Sequence, residues 1–392
     1  MTREDSELLL KTTTGTAMGA MLRQYWVPAV RAAKLEVDGA PARVRLFGEN
    51  YVAFRASDGR VGFFDEGCPH RCTSLALARN EDNALTCIFH GWKIDVSGKV
   101  VEVPSEPPQR RVEFAAKVRV NHYPVREAAG VVWVWLGKGE QPAPFPNFSF
   151  VSLPAAQVTA ISSPLGCHWL QALELLLDPA RPEVATALAA GASAALSDNP
   201  PLIDVEARPY GYRAASIRAQ DDGSRRARIS EWAFPWYSFL PGDGVSVMAG
   251  VVPVDDEQCV LWLIVANAAG PLDQAQLRRL GILDRDPDNF AAQAAATDLW
   301  NAAGQAASSK THSLLDDLVL PQSQGRIQNL LKQSLCSSDE MVVKARETLL
   351  RAVREYEAGK PTIGLAGAIS YEQIRATAGN LSSNADWHSL VS

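Results

Sequence analysis

Short runs of β-branched and aromatic residues recur along the first part of the chain, separated by Gly, Pro, Asp and Asn, which is typical of a β-rich domain. A helical pattern precedes them at Thr16–Trp26. The segment Gly139–Asn147 contains three prolines and favours a linker. We therefore predict a first domain over residues 1–146, with strands at Arg43–Phe47, Tyr51–Arg55, Val61–Phe64, Ala84–Phe89, Lys117–Val120 and Val131–Leu136.

The remaining residues mix helical and strand patterns and predict an α+β domain over 147–392. A helix is expected at His168–Asp178, followed by an Ala-rich segment, Ala185–Leu196, to which no element is assigned. Helices dominate after the strands, and the last is expected to begin at a capping box, Ser337–Glu340, and to end at Gly359 and Pro361. Between the Ala-rich segment and these C-terminal helices, strands are predicted at Tyr210–Ile217, Arg226–Phe234, Val245–Val252 and Cys259–Ala266.

Composition and charge narrow the class of protein. A chain of 392 residues is long enough for two cores, and its 47% hydrophobic and 21% charged residues are ordinary for a globular protein. A net charge of −6 without Lys/Arg-rich runs argues against a nucleic-acid partner. The sequence shows neither a membrane span nor an apolar signal-peptide core, so we expect a cytoplasmic protein with no membrane partner.

Two Cys–His pairs carry the clearest chemistry. Cys68 and His70 are separated by one residue, and Cys87 and His90 follow after 16 intervening residues. Two thiolates on one iron and two imidazoles on the other form the ligand set of a Rieske [2Fe–2S] cluster, whose potential lies above that of an all-Cys cluster. Because the outer imidazole nitrogens can titrate, electron transfer at such a cluster is coupled to a proton. We predict these four residues as the cluster ligands.

A Cys₂His₂ zinc site uses the same ligand types and is the alternative. The Cys-x-His opening is unlike the usual zinc spacing, and Gly91-Trp92 together with Pro104–Pro107 favours iron. Cys72 is expected to be a small buried residue, since residues 88 and 89 are Ile and Phe and offer it no disulfide mate. Buried free thiols are likewise expected at Cys167, Cys259 and Cys336.

With these residues, the chain resembles α subunits of Rieske non-heme iron oxygenases, in the branch of phthalate dioxygenase and the aryl O-demethylases. The resemblance implies an all-β Rieske domain followed by a helix-grip (START-like) domain of antiparallel sheet and helices. It extends over most of the chain, through Thr16–Gly19, Arg23–Pro28, Pro104–Pro107, Tyr210–Arg213 and Val252–Asp256.

The family holds a mononuclear iron with two histidines and a carboxylate. Its signature, Asp-x-x-His-x-x-x-x-His, follows a segment like Trp169–Glu174, and Asp178 matches the signature Asp. Arg181 and Thr186 stand where the histidines belong, and neither can replace an imidazole as ligand. We therefore expect no mononuclear iron in this chain.

The segment Asp316–Gly325 resembles the family's helix that carries the carboxylate ligand of the iron, and counting from Gly325 places Asp317 at the position of that ligand. We call Arg181, Thr186 and Asp317 the degenerate iron site. We expect Arg181 to pair with Asp317 and to occupy the space and charge of the metal. The alternative is that both side chains reach solvent separately. His168 and His312 do not reproduce the histidine pair and are expected to make ordinary polar contacts.

The resemblance implies head-to-tail trimers in which the cluster of one subunit faces the mononuclear iron of its neighbour, with the residue matched by Asp178 bridging the two sites. The expected function is a non-catalytic, electron-transferring subunit of a heteromeric aromatic oxygenase. Its partners would be a homologous catalytic subunit, in a mixed trimer or hexamer, and a separate reductase or ferredoxin. Two alternatives stay open: a stand-alone homotrimeric oxygenase with Asp178 and Asp317 as metal ligands, and a structural or regulatory subunit with a redox-idle cluster.

Overall fold

The computed structural model describes residues 1–139, 141–181, 200–242, 244–283, 285–290, 316–365 and 369–391. Contacts divide the chain into two compact units, Arg23–Ala143 and a larger one of Met1–Leu22 with Pro144–Ser392. The opening helices α1 (Arg3–Leu10) and α2 (Ala17–Leu22) thus group with the larger unit. The backbone N–H groups of Thr12 and Thr13 donate to Asp256 at 2.8 and 3.2 Å, which ties this segment to that unit.

The elements of the smaller unit are β1 (Trp26–Arg31), β2 (Ala42–Leu46), β3 (Glu49–Arg55), β4 (Val61–Asp65), β5 (Arg79–Glu81), β6 (Ala84–Thr86), β7 (Lys93–Asp95), β8 (Val100–Glu102), α3 (Arg111–Lys117), β9 (Val125–Ala128), β10 (Val131–Trp135), and 3₁₀ turns at Ala32–Lys34 and Leu75–Leu77. The strands form three antiparallel sheets, ordered β1-β10-β9, β2-β3-β4 and β5-β6-β7-β8. One of the unit's cores packs Phe54, Phe64, Leu85 and Trp92 around the buried Cys68 and Cys87.

The larger unit is built on an eight-stranded antiparallel sheet. Its elements are β11 (Val158–Leu165), α4 (Trp169–Leu177), β12 (Leu202–Arg208), β13 (Gly211–Ala219), β14 (Arg225–Ala233), β15 (Tyr237–Gly242), β16 (Val245–Pro253), β17 (Cys259–Ala266), α5 (Gln274–Arg279), α6 (Val319–Ser323), α7 (Glu340–Glu357), β18 (Thr377–Leu381), and 3₁₀ turns at Ala155–Gln157, Asp316–Leu318, Leu330–Lys332, Ser337–Asp339, Tyr371–Gln373 and Trp387–Leu390. Strand β18 pairs with the first half of β14, and helix α4 lies against β15, β16 and β17.

The structure confirms the α+β class and the four strands predicted in the second part, each to within a few residues. The helix predicted at Thr16–Trp26 ends at Leu22, because Trp26 begins β1 and pairs with Trp135 of β10. The strand predicted at Lys117–Val120 is wrong: Lys117 ends α3, and no strand follows directly. Among the described residues, no helix is long and apolar enough to cross a membrane.

The start of the last helix differs from the predicted capping box at Ser337. A 3₁₀ turn precedes α7, and the box forms one residue earlier, where the N–H of Cys336 donates to Asp339 at 2.7 Å. Gly359 then follows the helix with a φ of 69°, which is the left-handed stop that the sequence predicted. The Ala-rich segment Ala185–Leu196 lies outside the described residues.

Candidate functional site

The two predicted ligand loops are closed by the same pair of backbone hydrogen bonds. In the first loop the N–H of Cys68 donates to Thr73 O at 2.8 Å, and the N–H of Cys72 donates to Cys68 O at 2.8 Å. In the second loop Cys87 donates to Trp92 O at 2.8 Å, and Gly91 donates to Cys87 O at 3.0 Å. The loops are therefore local repeats, each presenting one Cys and one His.

The fifth residue of each repeat adopts a left-handed conformation, with φ values of 58° at Cys72 and 71° at Gly91. Glycine adopts this region freely, whereas a side chain is strained there. This geometry explains why a glycine would suit the position of Cys72. The expectation that Cys72 is buried is wrong, because the left-handed turn leaves its side chain exposed.

Replacing Cys72 by glycine should stabilise the protein by about 0.5 to 1 kcal/mol, because the left-handed strain outweighs the entropy that glycine loses on folding. The thermal midpoint of the cluster-loaded protein measures this gain. Gly91→Ala is the matched control and should destabilise, since a Cβ there would lie 3.3 Å from Pro104 Cγ at a positive φ. An unchanged midpoint for Cys72→Gly would contradict the strain.

The four predicted ligands meet as a cysteine pair and a histidine pair. The ring centroids of His70 and His90 lie 4.7 Å apart, edge to face. Cys68 and Cys87 are buried, and burial raises the pKa of Cys68 to about 11, with the adjacent Cys87 thiol adding to the rise. A bound metal would reverse this preference, because metal ligation deprotonates thiols.

The histidine side of the site also fits a metal. Nδ1 of His90 is buried and, within the described part of the chain, accepts no hydrogen bond. A buried ring nitrogen without a partner is costly unless a ligand occupies it. Trp92 stacks on His70 at 4.8 Å and donates to Ser105 Oγ at 2.9 Å, so the segment after the second loop fixes the plane of the His70 ring.

This pairing favours a two-iron cluster over a single zinc ion. Each iron of a Rieske [2Fe–2S] cluster takes two protein ligands, whereas structural zinc takes four. In the described ranges, no three or more His, Cys, Asp or Glu side chains converge on a point suited to one ion. Cys68, His70, Cys87 and His90 are therefore suited to hold a [2Fe–2S] cluster.

In the larger unit, two residues of the predicted degenerate site, Arg181 and Asp317, meet beside the end of α4. Asp178 caps the helix, and its Oδ1 accepts the backbone N–H groups of Ala180 and Arg181 at 2.9 and 3.2 Å. The Nε of Arg181 then donates to Oδ1 of Asp317 at 2.9 Å, and Nη2 contacts the same oxygen. The predicted pair is present, with both nitrogens on one oxygen instead of one on each. Thr186 and His312 lie outside the described residues.

The two partners of this ion pair differ in burial. The Asp317 side chain is 5% exposed and the Arg181 side chain 22%. Removing the cation takes a charge partner from the more buried carboxylate, whereas removing the carboxylate leaves an Arg that can turn towards water. We predict that Arg181→Met lowers the free energy of unfolding by about 3 kcal/mol and Asp317→Asn by about 1 kcal/mol.

Denaturant unfolding of the two variants measures this asymmetry. Lys117→Met is the control, because it breaks an exposed pair with Glu113 and should change stability by less than about 0.5 kcal/mol. Equal, small losses for Arg181→Met and Asp317→Asn would contradict a buried charge pair.

A cavity of about 240 Å³ adjoins this pair. Asp178, Arg181, Asp339 and Leu335 are among its lining residues. Burial raises the pKa of Asp178, and the charge of Asp339 adds to the rise, although the two backbone N–H donors oppose it. Since Arg181 is already paired, these two carboxylates give the cavity an acidic character.

Other cysteines and histidines of the described residues lie outside these two sites. Cys167 and Cys259 are buried as expected, but Cys336 is exposed because its backbone starts the turn before α7. His168 is fully buried, burial lowers its pKa to about 4, and its Nδ1 accepts the N–H of Leu170 as the cap of α4. His388 lies between Glu206 and Asp386, which raise its pKa.

The chain is similar in sequence to a known domain family and to characterised oxygenase subunits. The profile of the Rieske [2Fe-2S] domain matches residues 25–124. The chain is 30% identical to the 3-chlorobenzoate-3,4-dioxygenase oxygenase subunit of Comamonas testosteroni, over 91% of this chain and 89% of that protein. It is 29% identical to the phthalate 4,5-dioxygenase oxygenase subunit of Pseudomonas putida, over 99% and 94%.

Solved structures share the fold. Dicamba monooxygenase bound to dicamba superposes with a TM-score of 0.60 at 17% identity, over 86% of this chain and 99% of that chain. NdmA of Pseudomonas putida CBB5 with caffeine gives 0.61 at 15% identity, over 88% and 94%. Fold and ligand loops together define a Rieske [2Fe–2S] domain joined to a large antiparallel-sheet domain. The chain belongs to the family of Rieske oxygenase α subunits.

Proposed function

We propose that this chain is the [2Fe–2S]-carrying, non-catalytic α-type subunit of a heteromeric Rieske oxygenase acting on an aromatic compound. Its partner is a homologous subunit that keeps both iron-binding histidines, in a mixed trimer or hexamer. Electrons enter from a separate reductase or ferredoxin. The observation that carries the proposal is the Arg181–Asp317 pair, which joins two residues that the family resemblance assigns to the mononuclear iron site.

The pair argues against iron binding on two physical grounds. A guanidinium stays protonated and offers no lone pair to a metal. It also places a positive charge at Oδ1 of Asp317, the oxygen that both Arg181 nitrogens contact. A metal ion would have to displace a buried, charge-assisted contact before it reached this carboxylate. We therefore propose that mononuclear iron does not bind here.

The intact ligand loops argue for a redox role. A bound Rieske cluster supplies one-electron transfer at a raised potential. His70 and His90 are half-buried, so part of each ring reaches the surface, where an electron-transfer partner can approach. Trp92 and Ser105 hold the His70 ring in one orientation. A subunit without an electron-transfer role would have little need of this arrangement.

Two surfaces of the chain have complementary character. Around the ligand loops, Ile88 and Phe89 are exposed, and the Arg71 guanidinium lies over the Phe89 ring at 5.5 Å. In the larger unit, exposed Leu335 lies at the acidic cavity that contains Asp178. Head-to-tail rings join two different surfaces of neighbouring subunits. The apolar surface around the ligand loops, with its positive charge, is complementary to the acidic cavity and its exposed leucine.

The names of the relatives support the aromatic substrate class. They include dioxygenase subunits for 3-chlorobenzoate and phthalate and a 5,5'-dehydrodivanillate O-demethylase subunit. We propose that the complex acts on an aromatic acid or aryl ether, which the partner subunit binds.

Asp178→Asn tests the proposal against a stand-alone enzyme. In a mixed ring, this chain's cluster serves the partner's iron, so the electron path crosses the partner's own bridging carboxylate and not Asp178. We expect the variant to weaken assembly with a histidine-bearing partner while turnover of the assembled complex stays within about twofold.

Assembly is measured by light scattering and turnover by oxygen consumption with a reductase. Asp339→Asn removes the other carboxylate of the same cavity and should weaken assembly in the same direction, again with little change in the turnover of the assembled complex. If Asp178→Asn abolishes turnover of a homo-oligomer of this chain, the chain is an oxygenase by itself and the proposal is wrong.

A further inference from the structure

Helix α4 carries an unusual polar stripe on an otherwise apolar sequence. Gln171, Glu174 and Asp178 follow one another at spacings of three and four, which puts them on one face. Gln171 and Glu174 are buried, at 2% and 9% exposure. Buried polar groups are costly unless they are hydrogen-bonded, so this face has a specific set of partners.

The Gln171 amide is fully engaged. Its Nε2 donates to the carbonyl oxygens of Pro321 and Gly325 at 2.9 and 3.0 Å. Its Oε1 accepts the backbone N–H of Gln328 at 2.9 Å. One side chain therefore fixes α4 to three points of the segment that begins at Asp317 and continues through α6.

Glu174 connects the same segment to α7. Arg346 donates to both carboxylate oxygens of Glu174, at 2.6 and 2.8 Å. Gln328 adds a hydrogen bond from its Nε2 at 2.9 Å. A buried network in which each member is satisfied defines one geometry of the elements that it joins.

We propose that Gln171 is the positioning residue of the degenerate site: it holds the end of α4, with Arg181, in register with the segment that carries Asp317. The Arg181–Asp317 pair joins residues 136 positions apart in the sequence, so it depends on how these two segments are held. Glu174 and Arg346 support the same register from α7. The inference rests on the proposed function in that the pair stands in place of iron.

The test is the hydrogen exchange of the Arg181 Nε–H group, observed by NMR in protein with ¹⁵N-labelled arginine and an oxidised cluster. The Arg181→Lys variant assigns the resonance. In the wild type we expect a slowly exchanging Nε–H, because this group donates to the buried Asp317. Gln171→Met, which keeps the size but not the hydrogen bonds, should accelerate the exchange at least roughly tenfold through local opening.

Gln157→Met is the matched control, because it removes an amide that donates to a backbone carbonyl, Asn267 O at 3.1 Å, in another part of the same unit. It should leave the Arg181 exchange unchanged. If Gln171→Met does not fold, Gln171→Asn shortens the side chain by one methylene and keeps the amide chemistry, and the same acceleration is expected.

The outcomes separate the inference from the proposed function. If the Arg181 Nε–H is slow in the wild type and equally slow in the folded Gln171 variants, Gln171 is merely structural and the inference is wrong. If the wild-type Nε–H already exchanges as fast as that of a free arginine, the pair does not form. The proposed function then loses the ion pair on which it rests, and the positioning role of Gln171 is excluded with it.

Discussion

Replacing Arg181 and Thr186 together by histidine is expected to raise the iron content of the purified chain from about two to about three atoms. The double substitution removes the guanidinium that holds Asp317 and supplies two imidazoles with the family's spacing. Two histidines and one carboxylate form the facial triad of non-heme iron sites. Iron and protein are quantified after incubation with Fe(II) and removal of excess metal.

Two controls locate the additional iron. Arg181→His alone leaves one imidazole and should bind the third iron weakly. The triple variant that adds Asp317→Asn lacks the carboxylate and should return to about two irons. If the triple variant also gains a third iron, the metal binds elsewhere and Asp317 is not the remaining ligand of the site.

Cys68→Ser is expected to remove the visible absorption of the cluster and to abolish turnover of the assembled complex. A serine hydroxyl is a poor substitute for a thiolate on iron, and the loss leaves one thiolate where two are needed. Cys72→Ser is the matched control, because Cys72 lies in the same loop but is exposed and is not a predicted ligand. It should retain the full absorption and turnover.

The result for Cys68→Ser also decides between two functions. If the variant still assembles with its partner and turnover is unaffected, the cluster is redox-idle and the chain is a structural or regulatory subunit. If assembly itself is lost, the cluster domain is needed for docking, and the electron-transfer role has to be measured by stopped-flow reduction of the wild-type complex.

The cluster site and the degenerate pair could be predicted from the sequence because each depends on a short pattern with a definite chemistry. The Cys-x-His and Cys-x-x-His spacings lie in two tight loops, so local geometry alone brings each ligand pair together. Arg181 and Asp317 were predicted as a pair because an unpaired buried carboxylate is costly. That cost does not depend on how the chain between them folds.

The partners of Gln171 and Glu174 could not be predicted, because they come from segments more than 140 residues away. The polar stripe on α4 indicates that this face of the helix has hydrogen-bond partners, but the sequence pattern does not identify those partners. The exposure of Cys72 was missed for a different reason. It follows from a left-handed turn that a cysteine rarely adopts.

The most direct test of the central claim is the iron content of the wild-type chain produced alone, once absorption confirms a full Rieske cluster. The proposed function predicts about two irons per chain, all in the cluster, with no further uptake when Fe(II) is added. About three irons per chain, with the third lost on Asp317→Asn, would contradict it. The chain would then hold a mononuclear iron of its own and act as an oxygenase without a partner.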